Sequence, residues 1–198
     1  SWQPYYLKNY KNKNFISSLN QISYVFFIIL IVFSTGLSLF WPLLIQININ
    51  NFYLIGPSFW AGGAVIPWVA FGYFFYGLFI LQTPSIYLNN KQGWSPVFWF
   101  IAASSNIIMN ILLIPSLGFV GAGISSLCSY LLIYIIIVYK NQKWLKNNFI
   151  DFFLICLMVG SACILFSHSL FGSFISYSLF ALYCFVCFVK IKQLKLFL

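Results

Sequence analysis

Two carboxamides four residues apart, Asn106 and Asn110, stand in the middle of an apolar run that holds no charge. At that spacing they share one face of a helix, and such groups are costly to point into lipid. Two roles are open to them: a hydrogen-bonded clamp to a neighbouring helix, or the lining of a cavity that meets a polar substrate. Other chemistry-bearing side chains are scarce. The only acid is Asp151 and the only histidine is His168. Cys184 and Cys187 have CxxC spacing, yet a structural zinc site needs four ligands and no second pair accompanies them. No metal site, cofactor or catalytic constellation is expected. One Asp and one His on opposite sides of a membrane cannot converge on a bond, which argues against an enzyme.

The elements that carry these residues follow from composition. The 198 residues are 62% hydrophobic and 6% charged, against about one quarter charged in soluble domains. Six stretches are each long enough, at about 20 residues, to cross a hydrocarbon core of about 30 Å as helices. They run from Ile22 to Trp41, Ala61 to Leu81, Pro96 to Ile114, Val120 to Tyr139, Phe149 to Phe166 and Leu170 to Val189. The expected class is all-α: a polytopic membrane protein of six transmembrane helices. A β-barrel would alternate apolar and polar residues, which runs such as Tyr24 to Phe33 do not.

Orientation comes from the ten lysines, since there is no arginine. They precede the first span (Lys8, Lys11, Lys13), separate the second and third (Lys91), separate the fourth and fifth (Lys140, Lys143, Lys146) and follow the sixth (Lys190, Lys192, Lys195). All fall on one side, which the positive-inside rule makes cytoplasmic, with both chain ends there. The net charge of +9 therefore reads as topology and attraction to anionic lipid, with no nucleic-acid partner implied. Trp41, Trp60, Trp94 and Trp144 fall at span ends, as interfacial anchors do.

Organisation along the chain divides into a polar strip over residues 1–19, four helices over 20–140, and two further helices with a basic tail over 141–198. The start at Ser1, with Trp2 and Pro4 suited to the end of an earlier span, reads as the C-terminal part of a longer protein. The alternative is a natural six-span protein. Ile45 to Asn51 alternates apolar and polar residues as an extended or interfacial piece would. Pro67 is expected to bend the second span. Pro115 and Gly118 are expected to make a tight hairpin between the third and fourth. Small residues at intervals of four, Ala102 with the two asparagines on the third span and Gly121, Ser125 and Ser129 on the fourth, mark contact faces.

The run from Asn106 to Tyr134, NIIMNILLIPSLGFVGAGISSLCSYLLIY, resembles the C-terminal region of polysaccharide-biosynthesis flippases of the multidrug/oligosaccharidyl-lipid/polysaccharide exporter superfamily. The resemblance is carried by Asn106, Asn110, Leu113, Ile114, Pro115, Gly118, Gly121, Ala122 and Gly123, by AVIPWVAFGYFFYGLFI from Ala64 to Ile80, and by Trp2 and Pro4. It covers most of residues 1–140. It implies the C-terminal lobe of a two-lobe transporter of the bacterial cytoplasmic membrane. The cargo would be an undecaprenyl-diphosphate-linked oligosaccharide, and the partners membrane lipids and a missing N-terminal lobe of the same protein. Asn106, Asn110 and Lys91 would be the substrate contacts, with Lys91 nearest a diphosphate headgroup. Pro115, Gly118, Gly121, Gly123 and Ser125 would be packing and turn residues. A cation-coupled drug antiporter of the same superfamily, a membrane-embedded polysaccharide enzyme and a structural subunit remain as alternatives.

Overall fold

The computed structural model describes residues 2–45, 47–49, 52–53, 55–141 and 170–195. Helix α1 (Trp2–Asn9) lies ahead of the long α2 (Phe15–Ile45). A short antiparallel pair follows, β1 (Asn48–Ile49) against β2 (Phe52–Tyr53), in register Asn48 to Tyr53 and Ile49 to Phe52. A 3₁₀ segment (Pro57–Val65) runs directly into α3 (Ile66–Gln82) and the one-turn α4 (Pro84–Leu88). Helices α5 (Trp94–Leu117), α6 (Phe119–Asn141) and α7 (Leu170–Lys195) complete the described chain.

Four of these stretches are long and apolar enough to cross a bilayer: Phe15–Leu44, Pro57–Leu88, Trp94–Leu117 and Phe119–Asn141. They correspond to the first four expected spans. The expected fifth span, Phe149 to Phe166, lies outside the described residues, as do Asp151 and His168. At the sixth, α7 forms along α2: Tyr177 stacks on Phe40 at 5.2 Å, Phe180 meets the same ring edge-on at 5.6 Å, and Tyr183 and Cys187 join a cluster with Phe27, Ile28 and Ile31. Rising numbers on one helix meet falling numbers on the other, so α7 runs antiparallel to α2.

The helices adjoin in the order α7, α2, α3, α6, α5. Phe74, Phe75, Leu78 and Leu81 of α3 fill one cluster with α2 and α7. Phe79 of the same helix belongs to a second cluster with Phe98 and Ala102 of α5 and Ile133 and Ile137 of α6. Outermost α5 leaves Phe100, Ile107, Ile108, Ile111 and Leu112 exposed. In water that face would be an aggregation hazard; in lipid it meets its natural solvent.

Three local expectations are corrected. Helix α2 begins at Phe15 and continues through Pro42 to Ile45, so Pro42 lies inside a helix and not in a loop. Pro67 occupies the first turn of α3, where its missing N–H costs nothing; the backbone changes from 3₁₀ to α just before it, so no mid-span bend is required. Pro115 is likewise inside α5, and the turn to α6 is Gly118 alone, with φ +55° and ψ −133°. That conformation is open in practice only to glycine. The Gly118 N–H donates to the Ile114 carbonyl at 2.9 Å and closes the helix end.

Candidate functional site

Asn106 and Asn110 are both partly buried on α5, and they bond to each other: Asn110 Nδ2 donates to Asn106 Oδ1 at 2.9 Å. The pair is thus an intrahelical bridge, and not a clamp between helices. It leaves Asn110 Oδ1 buried with no hydrogen-bond partner. An orphaned carbonyl in a low-dielectric setting costs about 1 to 3 kcal/mol, so a donor that reached it would recover that energy. One turn further along α5, the Leu113 backbone comes close against Gly121 of α6.

That approach depends on Gly121. A Cβ there would lie 2.6 Å from the Leu113 carbonyl oxygen and 2.7 Å from its carbon. Gly123, two residues on, opens the other side of α6 toward Val65 and Trp68. Ser125 and Ser129 are buried and turn their hydroxyls onto their own helix, donating to the carbonyls of Gly121 and Ser125 at 2.8 and 2.7 Å. Spent this way, neither hydroxyl has a donor left for a ligand.

Lys91 lies in the turn between α4 and α5 and is exposed. Three contacts fix its backbone: Asn90 takes a φ of +55°, Lys91 N donates to Ile86 O at 2.9 Å, and Trp94 N donates to Lys91 O at 3.0 Å. Lys91 is separated from the asparagine pair by more than three turns of helix, so the structure does not bring the three expected substrate contacts together. It brings Lys91 instead into the turn that leads to Trp94, the residue whose ring Lys140 overlies from the end of α6. Lys140 Nζ sits 2.7 Å above the Trp94 ring. The lysine-bearing end also holds α1, whose Tyr6 is 1% exposed and packs on Tyr87 at 6.2 Å.

Two features had no signal in the sequence. Asn141 closes α6 onto the end of α3 through Gln82, at 3.1 Å to its carbonyl oxygen. An apolar groove of about 650 Å³ opens between α2 and α3, lined by Phe33, Ser34, Val69, Tyr73, Tyr76 and Gly77 among others. Ser34 is held there by donating to the Ala70 carbonyl at 3.1 Å. Among the described residues no three His, Cys, Asp or Glu side chains gather where a metal ion could sit.

No family model matches the chain, and no solved structure matches it. The chain is similar to a protein described as an uncharacterized membrane protein of Methanocaldococcus jannaschii, with 31% identity over 103 residues. The alignment takes in 50% of this chain but only 19% of that protein, so the match spans about a fifth of the relative's length. Together with the four apolar spans, it identifies the chain as a multi-pass, α-helical membrane protein.

Proposed function

We propose that this chain is part of a transporter that flips an undecaprenyl-diphosphate-linked oligosaccharide from the cytoplasmic to the outer leaflet for surface polysaccharide synthesis. The observation that carries the reading is the α5–α6 hairpin. The segment resembling the flippases, Asn106 to Gly123, folds as one unit in which the Gly118 turn and the bare backbone of Gly121 set the helix spacing. The Asn106–Asn110 bridge holds an unsatisfied carbonyl at the margin of that contact. Hydroxyl-rich cargo supplies the donors that such an acceptor lacks.

On this reading the chain forms one lobe and a further lobe supplies the rest of the cavity. The test is complementation: the uncut protein that carries this chain, expressed in a bacterial strain lacking its flippase, restores surface polysaccharide. Drug efflux with no effect on polysaccharide replaces this reading with the antiporter.

A further inference from the structure

Lysines from sequence positions far apart lie at one end of the bundle, and among the described residues no carboxylate answers them. Asp151 is the sole acid in the sequence, and it lies outside the described residues. Among the described residues, therefore, Lys91 and Lys140 have no carboxylate partner. Both are tied to Trp94: the α4–α5 turn pins Lys91 through Ile86 and Trp94, and Lys140 is held over the Trp94 indole. Two cations that both adjoin Trp94, with no counter-charge among the described residues, favour an anion between them.

We propose that Lys91 and Lys140, with Trp94 between them, bind the phosphate of an anionic phospholipid headgroup. The position selects a lipid over a soluble anion. Trp94 is the first residue of an apolar spanning helix and is 40% exposed, and Val97, Trp99 and Phe100 beyond it present exposed apolar side chains. A phosphate at the lysine level would thus have its acyl chains beside an apolar helix surface. The indole suits the headgroup layer and holds one ammonium group by cation–π attraction. Basic sites of this kind at the ends of membrane helices recognise phosphate-bearing headgroups. The assignment shares Lys91 with the substrate contacts that the resemblance implies, but it rests on Lys140 and Trp94 and uses neither asparagine of the pair.

The experiment reconstitutes the full chain in nanodiscs of phosphatidylcholine containing one tenth phosphatidylglycerol, and native mass spectrometry counts the phosphatidylglycerol retained. The parent is expected to retain it, with affinity lowered about tenfold in Lys91→Gln and in Lys140→Gln and restored in Lys140→Arg. Lys13→Gln, an exposed lysine with no ring contact, serves as the control for general surface charge. Equal losses in all three glutamine variants overturn the site. A second arm adds inorganic pyrophosphate to pure phosphatidylcholine nanodiscs and follows thermal unfolding. Stabilisation by pyrophosphate that matches that by phosphatidylglycerol overturns the lipid assignment in favour of a soluble phosphate. Both glutamine changes are on exposed side chains, and circular dichroism confirms that each variant is folded before it is counted.

Discussion

Asn141 reaches across the lysine-bearing end to Gln82, donating from Nδ2 to the Gln82 backbone carbonyl at 3.1 Å and standing 3.4 Å from its Oε1. Both residues are buried, at 8% and 5% exposure. The Ser85 hydroxyl donates to the same Gln82 carbonyl at 2.8 Å. The side chain of Asn141 thus adds a second donor to that carbonyl and ties the end of α6 to the end of α3.

This contact gives the first prediction. Asn141→Ala leaves the Gln82 carbonyl with the Ser85 hydroxyl as its side-chain donor and should destabilise the fold by about 0.5 to 1.5 kcal/mol. A lowered midpoint of thermal unfolding in detergent is the expected reading. An unchanged midpoint would mean that water takes the place of the carboxamide and that the latch contributes nothing.

The α5–α6 hairpin should respond at two positions for two reasons. Gly118→Ala imposes backbone strain of about 1 to 3 kcal/mol, since a side chain is forced into the region at φ +55° and ψ −133°. Gly121→Leu acts through packing, pushing α6 off the Leu113 backbone. It should lower folded yield more than Gly118→Ala does, because the helix backbone cannot yield as a flexible side chain can. Parental yield from Gly121→Leu would remove the close approach from the account of this fold.

Opposite ends of the spans should label from opposite sides of the membrane. Lys91 is exposed at the lysine-bearing end, and Ser58 is exposed in the 3₁₀ segment at the other. With cysteine placed at each, an impermeant thiol reagent on intact cells should modify the Ser58→Cys protein and spare Lys91→Cys. The reverse pattern would invert the orientation that the lysines imply.

The docking of α1 should depend on alkaline pH. Burial, and then the neighbouring Tyr87, push the Tyr6 phenol up to about 12, while a hydrogen bond with Thr83 works the other way. A pKa raised in the folded state means that the unfolded chain ionises first, from about 10. The contribution of Tyr6 is therefore whole below pH 10 and is lost as pH rises toward 12. Tyr6→Phe cannot ionise. Its stability should fall less than the parent's across that window, and parallel curves for the two proteins would place the pH dependence elsewhere.

What the sequence made legible was governed by solvent and by backbone chemistry. Long uncharged runs locate the four spans because lipid penalises every unpaired backbone group alike, whatever the neighbours. The turn at Gly118 was readable because few residues tolerate its dihedral angles. Pro42, Pro67 and Pro115 were misplaced for the opposite reason. Whether a proline ends, starts or interrupts a helix depends on which neighbour covers the freed carbonyl, and that neighbour is tertiary. The same holds for Lys140 on Trp94 and Asn141 on Gln82, pairs that meet only after α3, α5 and α6 have packed. Within the IQININN alternation Asn48–Ile49 is extended, as period two suggests, while Ile45 still belongs to α2.

The asparagine pair yields the last prediction, and it separates the two roles that the sequence left open. If the bridge were purely structural, Asn106→Ala and Asn110→Ala would each remove the same hydrogen bond and cost about the same, near 0.6 kcal/mol by the average for polar contacts in membranes. The geometry is not symmetric. Asn106→Ala strands Asn110 Nδ2 beside an oxygen that already lacks a partner, whereas Asn110→Ala removes that orphaned oxygen and frees Asn106 Oδ1 in its place, with no net gain in unpartnered groups. Asn110→Ala should therefore be the less destabilising of the two, and neutral within about 0.5 kcal/mol. Its effect on transport should run the other way. On the flippase reading Asn110 Oδ1 accepts from cargo, so Asn110→Ala should lower polysaccharide export about tenfold while the protein stays folded and abundant in the membrane. A variant that is stable and exports at the parental rate would leave the pair with a structural role only.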